Sequence, residues 1–325
     1  MIQKFKYWNR IIKSYFLSKN SNLSFWHGQP QINELASYKS LNQYYMKFYY
    51  KANYRGVYDK SGIPLLDYQG DIGIQYNPIA IAQWSLGNYN LWKTNKSSSA
   101  YQKFILGSEW LNDNLVPNKS KVYVWNHYFD WVYQENLINP WYSGLAQGQG
   151  LSVLCRAYKE TKNPKYLKSL KKVFESLKIN IKDGGVMYQD SKNNIWIEEY
   201  IMQNTPTHIL NGFIWGLWGI YDYWLLTNDK NVNKLFLEYI NTLEKNISSY
   251  DIGYWSLYEL SNKKISMRAS LFYHQLHVVQ MNILFKMTKR GVFKKIEIKW
   301  MGYLNKKLNI LRATFMKIIF KILYY

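Results

Sequence analysis

The sequence predicts a mainly α fold: an (α/α) barrel, or toroid of antiparallel helix hairpins, with short β-hairpins at the active-site end and a reduced N-terminal region. Helical periodicity recurs along most of the chain, with short connections between segments. One almost wholly apolar helix sits among amphipathic ones, as a buried member of a ring would. Two stretches break into period-two alternation, and in such barrels polar chemistry gathers in the loops at one end of the ring.

Taken in order, Ser40 to Tyr50 reads as an aromatic-rich helix, and the run from Tyr58 through Gly62 to Pro64 is turn chemistry. Asn77-Pro78 opens a helix through Ile79, Ala82, Leu86 and Tyr89, with proline at its first position. Residues 97–111 form another. Alternation over 121–134, carried by Val122, Val124, Tyr128, Trp131 and Tyr133, predicts a hairpin. Residues 145–160 place Leu151, Leu154, Cys155 and Tyr158 on one helix face, and Asn163-Pro164 starts a helix that reaches Leu177. Asp183-Gly184-Gly185 turns into a second hairpin, 186–188 with 195–198. Thr205-Pro206 begins the apolar helix over 207–226, and further helices follow at 231–247 and 269–288. No sequence repeat of about 20–50 residues accompanies them, so the toroid rests on helix alternation. The chain divides into a basic aromatic N-terminal segment (1–54), the barrel and catalytic domain (55–288) and a basic amphipathic C-terminal helix (289–325).

A chain of 325 residues can bury a sizeable core. Aromatics make up 18 % of it, with 14 tryptophans, and at that density the rings suggest stacking platforms for sugars or bases. The single cysteine, Cys155, excludes an internal disulfide framework and a cysteine-based metal site. A net charge of +21 implies an acidic partner, either nucleic acid, an anionic polysaccharide or an anionic membrane surface. Only six of the 42 basic residues are arginine, and no nucleic-acid-reading motif is present, so no nucleic-acid partner is expected.

The charge is uneven. Residues 1–20 carry Lys4, Lys6, Arg10, Lys13 and Lys19 with no acid, interleaved with aromatic and aliphatic side chains. Residues 289–325 carry ten Lys or Arg against Glu297 alone. On a helical wheel Leu308, Leu311, Phe315, Ile318, Ile319 and Ile322 gather on one side, with Lys306, Lys307, Lys317 and Lys321 largely opposite. Two readings fit that pattern: an interfacial helix drawn to anionic lipid, and a solvated helix packed on the domain by its apolar stripe. The longest apolar stretch, near 209–221, contains Asn211 and falls short of the ~20 residues a spanning helix needs. The N-terminus has no uninterrupted apolar core and no small-residue cleavage site. The expected location is the cytoplasm, peripheral on the inner face of the cell membrane.

Chemistry concentrates in a few places. Trp196-Ile197-Glu198-Glu199-Tyr200 is followed by Tyr258-Glu259-Leu260 and by Tyr273-His274-Gln275-Leu276-His277. Adjacent carboxylates, tyrosines and histidines at the ends of apolar segments suit proton transfer at carbon, where one group removes a proton and another returns one. In a strand only one of Glu198 and Glu199 can face a cleft. Ser143-Gly144-Leu145-Ala146-Gln147-Gly148-Gln149-Gly150 puts three glycines in two helical turns, each costing about 1 kcal/mol relative to alanine. Close approach of another backbone or of a flat sugar ring would justify them, and Gln147 and Gln149 then reach sugar hydroxyls. His274 and His277 share a helix face, but no His-Glu-x-x-His pattern accompanies them, and neither metal nor cofactor is expected.

Blocks of sequence then align in order with one family. Pro140 to Gly150, Trp196 to Tyr200, His208 to Phe213, Gly219 to Asp222, Tyr250 to Gly253, Tyr258 to Leu260 and Tyr273 to His277 together resemble the C-terminal domain of D-glucuronyl C5-epimerases, with Gln75 to Gln83 resembling the lead-in segment. The resemblance implies an (α/α) barrel preceded by β-structure, here reduced, in a homodimer that converts glucuronate to iduronate in heparan-type polymers. It makes Glu199 and Tyr200 the acid–tyrosine pair, and Tyr258 and Tyr273 the further catalytic tyrosines. His208, Asn211, His274 and His277 are candidate substrate contacts. The family often carries arginine shortly after the position of Tyr258, where this chain has Ser261, so Arg268 or a nearby lysine is the candidate partner of the substrate carboxylate.

The residues themselves support that chemistry. A uronate C5 proton is weakly acidic because the adjacent carboxylate is already negative, and neutralising that carboxylate stabilises the enolate-like intermediate. Elimination of the 4-O group from the same intermediate would make a lyase. A glycoside hydrolase would need two carboxylates about 5–10 Å apart, with Glu109, Asp130, Glu199 and Asp222 as candidates. A non-catalytic glycan-binding protein would need none of the tyrosines.

Overall fold

Helix boundaries here follow a repeated local grammar. Lys96, Lys162, Asn228 and Lys289 each end a helix in the left-handed region, with φ of 57°, 56°, 54° and 60°. The next residue opens the following helix, and in the first three cases it does so with a side-chain cap. Ser97 accepts the Ala100 N–H, Asn163 the Lys165 N–H and Asp229 the Asn231 N–H. Each junction therefore reverses the chain in two residues and makes a tight antiparallel helix pair.

The computed structural model describes residues 25–202 and 206–324. Residues 1–24 of the basic aromatic segment, and Thr205 at the expected start of the apolar helix, lie outside the described residues. The helices are α1 (Tyr49–Ala52), α2 (Pro78–Asn95), α3 (Ser98–Asp113), α4 (Gly144–Thr161), α5 (Pro164–Ser176), α6 (Leu210–Thr227), α7 (Lys230–Asn246), α8 (Leu271–Thr288), α9 (Gly291–Leu304) and α10 (Lys307–Tyr324). Helices α2, α4, α6 and α8 contact one another in sequence order as an inner row, and α3, α5, α7 and α9 pair with them outside. This is the expected (α/α) barrel. The 25–54 strap runs between its ends, with Tyr44 N–H bonded to Asn90 of α2 and Glu34 paired with Lys286 of α8.

Expected elements differ in four places. The 40–50 stretch is extended rather than helical until α1. Asn33 N–H donates to the Tyr45 carbonyl, Lys47 N–H to the Gln31 carbonyl, and the Asn90 amide of α2 binds the Met46 carbonyl, so those backbone groups are satisfied outside any helix. The hairpin expected at 121–134 is wider and nested: Asn126–His127 pairs with Trp141–Tyr142, and Trp131–Val132 with Asn136–Leu137. Helix α6 begins at Leu210, after His208 at φ 48°, because the Glu198 carboxylate takes the Thr207 and His208 N–H groups. The C-terminal region is two helices, α9 and α10, and α9 packs on α8 with Phe293 and Trp300 fully buried.

The glycines of α4 are explained by protein contacts. A Cβ on Gly148 would stand 2.4 Å from the Gly216 Cα of α6, and one on Gly219 would stand 2.2 Å from the Gly148 carbonyl oxygen. Gly150 lies under the Trp125 ring and Gly144 against the Glu198 carbonyl. We expect Gly148→Ala to lower stability by about 1–3 kcal/mol, the range for overpacking, read as a urea midpoint. Gly302→Ala, in α9 with open space around it, should be neutral or stabilising. A harmless Gly148→Ala would show that α4 and α6 have room to separate.

Candidate active site

The second hairpin, Met187–Gln189 with Ile195–Ile197, delivers the adjacent acids into the ring. Alternation separates them as expected. Glu198 turns into the structure, where it accepts the Thr207 and His208 N–H groups, each at 3.1 Å, and pairs with His208 Nδ1. Glu199 faces the central cleft, and Asn211 of α6 donates to its Oε2 at 3.3 Å. Gly212 makes room, since a Cβ there would fall 2.3 Å from that oxygen.

The cleft has a volume of about 880 Å³, near the upper end for ligand sites of roughly 300–1,000 Å³. Tyr200, Tyr258 and Tyr273 line it beside Glu199. Tyr200 packs on Tyr133, ring centres 4.6 Å apart, and edge-on to Trp141. Tyr258 sits in the loop before α8, its carbonyl accepting the Leu210 N–H that starts α6. Tyr273 lies in the first turn of α8, its N–H capped by the Ser270 hydroxyl, and its ring meets that of Tyr258 at 4.8 Å. Tyr68, Trp131 and Trp215 extend the aromatic wall. Three polar atoms on it have no hydrogen-bond partner among the described residues: Gln83 Oε1, Asn211 Oδ1 and Trp215 Nε1.

Glu199 is the one carboxylate lining the cleft among the described residues, against Lys51, Lys317 and Lys321. Burial raises its pKa from 4.5 to about 8, with hydrogen bonds from Tyr200 and Asn211 opposing the rise. Burial and the Glu199 charge push Tyr200 well above the usual tyrosine range. Near neutral pH the Glu199 carboxyl therefore keeps its proton and lies within about one pH unit of releasing it, while Tyr200 stays protonated.

Several other expected contacts lie outside the cleft. Gln147 is buried within α4, and Gln149 accepts from Gln83 at 2.9 Å, acting behind a lining residue. His208 stacks on Trp196 at 4.2 Å. His274 and His277 both meet the Ser256 hydroxyl through Nδ1, at 2.7 and 2.9 Å, in the packing behind Tyr273. Arg268 donates to the Ser266 carbonyl at 2.7 Å and does not line the cleft, so the arginine is not at hand for a bound carboxylate. Sequence reasoning missed Lys317, because its helix read as a peripheral surface element. It also missed the Gln83–Gln149 pair, although Gln83 lay within the quoted lead-in segment.

A ring of helix hairpins with a deep aromatic cleft at one end defines the protein as an (α/α) barrel of the kind that also houses cellobiose 2-epimerases. The Bacillus thermoamylovorans enzyme superposes with a TM-score of 0.57 at 13 % identity, over 79 % of this chain and 68 % of that one. The Spirochaeta thermophila enzyme gives 0.54 at 9 % identity, over 92 % and 84 %. At such identities the likeness speaks for the fold alone. Residues 118–302 match the family described as D-glucuronyl C5-epimerase C-terminus, more than half of the chain, and the chain belongs to that family. The D-glucuronyl C5-epimerase of Caenorhabditis elegans is 34 % identical over 190 residues, 53 % of this chain but 30 % of that protein, so this chain corresponds to under a third of its relative's length.

The Glu199 environment has a measurable consequence. Between pH 4.5 and about 8 the folded state holds a proton that the unfolded chain has released. This contribution to stability is thus fully present below the unfolded pKa and lost as pH rises through the folded one. Glu199→Gln should flatten that decline, seen as urea midpoints that fall less from about pH 5 to about pH 8.5. Glu198→Gln should instead lower the midpoint and leave the decline in place. An unchanged slope in Glu199→Gln would mean that Glu199 stays ionised.

Proposed function

We propose that this chain is the catalytic domain of a uronate C5-epimerase that converts D-glucuronate to L-iduronate residues within an anionic polysaccharide. The observation that carries the reading is the meeting of Glu199–Tyr200 and Tyr258–Tyr273 in one aromatic, cation-lined cleft. One member of the set takes the C5 proton, and the electron pair of that C–H bond moves into the carboxyl group. A tyrosine hydroxyl then delivers a proton to C5 from the other ring face, the pair returns to carbon, and the carboxylate is restored. The unpartnered Gln83, Asn211 and Trp215 atoms suit sugar hydroxyls, and the aromatic wall suits the apolar faces of pyranose rings.

The rivals fit less well. Of the four candidate hydrolase carboxylates, only Glu199 lines the cleft. Glu109 pairs with Lys165, Asp130 accepts the Asn139 N–H, and Asp222 is locked to Arg156. A lyase would share the first proton abstraction, so the product decides. In deuterated water, glucuronate-containing heparosan should gain deuterium at C5 without a new C4=C5 double bond. The double bond would indicate a lyase, and new reducing ends alone a hydrolase. Tyr258→Phe and Tyr273→Phe should each reduce exchange by about 10²–10⁴-fold with unchanged thermal unfolding. Near-wild-type exchange in both would remove the tyrosines from the mechanism.

We further propose that α10 rests on an anionic membrane. No helix among the described residues is long and apolar enough to cross one. Yet Leu308, Leu311, Phe315 and Ile322 are exposed along α10, with Lys306, Lys307 and Arg312 close by. Each lysine near such a surface contributes about 1 kcal/mol. Leu311→Asp with Phe315→Asp should abolish sedimentation with phosphatidylserine vesicles while C5 exchange persists. Unaltered sedimentation would reject the proposal, and loss of a dimer in light scattering would assign the face to a second copy.

A further inference from the structure

Helix α10 lies beyond the segment matched by the family, which ends at residue 302. Its charge points the unexpected way. Lys317 and Lys321, one turn apart, line the cleft, while Leu308, Leu311, Phe315 and Ile322 on the same helix face outward. The Lys317 ammonium stands 5.5 Å from the Tyr258 ring centre and 5.8 Å from that of Tyr273. Both tyrosines belong to the set proposed to move the C5 proton.

Among the described residues no carboxylate lies within salt-bridge distance of Lys317. Glu259 acts on it from farther off and is itself bound by the Tyr133 hydroxyl and the Gln134 amide. The titratable groups around Lys317 are thus Tyr258 and Glu259 of the loop before α8, Tyr273 and His277 of α8, Lys321 of its own helix and His27 of the strap. An ammonium drawn out of water with no anion beside it is unfavourable, and burial accordingly lowers its pKa to about 7, helped by Lys321. An arriving carboxylate reverses that.

We propose that Lys317 receives the carboxylate of the glucuronate residue being epimerised, which makes α10 a wall of the active site. The inference rests on the function proposed above. Negative charge develops on that carboxylate as the C5 proton leaves, so a cation held beside it stabilises the intermediate more than the substrate. Of the other cations, Lys321 lines the cleft one turn farther along α10, while it is the Lys317 ammonium that stands by the Tyr258 and Tyr273 rings. Arg268 does not line the cleft, and Lys51 donates to the Phe25 carbonyl at 2.8 Å with its charge over the Phe25 ring.

The test uses the full chain with Lys317→Met, Lys317→Arg and, as a control, exposed Lys307→Met. Binding of a heparosan oligosaccharide and of its carboxyl-reduced counterpart is followed by tryptophan fluorescence, and C5 deuterium exchange is measured in parallel. Lys317→Met should weaken binding of the uronate oligosaccharide on the order of tenfold, leave the reduced one unchanged, and slow exchange about a hundredfold. Lys317→Arg should recover the charge-selective binding and part of the exchange, and Lys307→Met should match wild type. Wild-type binding and exchange in Lys317→Met would overturn the inference while leaving the epimerase reading intact. So would a Lys317→Arg variant as inactive as Lys317→Met with both oligosaccharides bound normally, because Lys317 would then be moving protons. Absence of C5 exchange in wild type, with uronate binding that still depends on Lys317, would retire the epimerase reading and keep the carboxylate site. If Lys317→Met fails to unfold cooperatively, the arginine variant and Lys317→Gln carry the comparison.

Discussion

The cleft depends on how closely α4 and α6 approach. Gly148, Gly216 and Gly219 let the two backbones touch, and Ile197 of the second hairpin packs on Gly216 where a Cβ would lie 2.7 Å away. That contact fixes the strand whose next residues are Glu198 and Glu199. Gly144 of α4 donates its N–H to the Glu198 carbonyl, and Gly212 of α6 leaves the space that the Glu199 side chain fills. The same helix pair is locked again farther along by Arg156 and Asp222, 2.6 Å apart and fully buried, with the Tyr45 hydroxyl on the same carboxylate. Such a pair adds little stability over apolar packing but penalises any shift that parts the charges. Register set at that pair is therefore carried along the helices to Glu199.

Charge works at two ranges in this chain. The +21 balance acts over the Debye length and favours anions in general without distinguishing among them. Inside the cleft the charges are few and the walls aromatic, so each one is strongly felt. One acid whose pKa burial raises to about 8, three tyrosines and inward-facing lysines lie together there, the set on which the proposed proton transfer rests.

Local signals were legible in the sequence wherever a short side chain decided them. Asn-Pro starts placed α2 and α5, and strand alternation separated Glu198 from Glu199. The glycine run of α4 announced a close approach but could not say whether protein or sugar would make it; the Glu198 and Gly216 backbone and the Trp125 ring did. Non-local bonds defeated the reading elsewhere. Tyr44 to Phe48 has the aromatic density of a buried helix, yet its peptide groups pair with Gln31, Asn33 and Asn90, partners that sequence spacing does not reveal. His208, His274 and His277 stand in the matched blocks and pack behind the cleft, on Trp196 and against the Ser256 hydroxyl, a placement that motif position alone does not reveal.

Helix α10 is the sharpest case, because its amphipathic pattern was plain while the side on which its lysines fall was not. A wheel shows that two faces differ; it does not say which face turns inward. Here lysines line the cleft and large aliphatic side chains face out, so each face is unfavourable until a partner of its own kind arrives. On the two proposals for this helix, an anion in the cleft would stabilise the inner face and a membrane the outer one, both acting on the same helix. If each binds only the seated position of α10, either one must strengthen the binding of the other by an equal factor, since coupling between sites is reciprocal. A polymer presented at a membrane surface would then be held more tightly than the same polymer free in solution, through a helix that lies outside the family's matched segment.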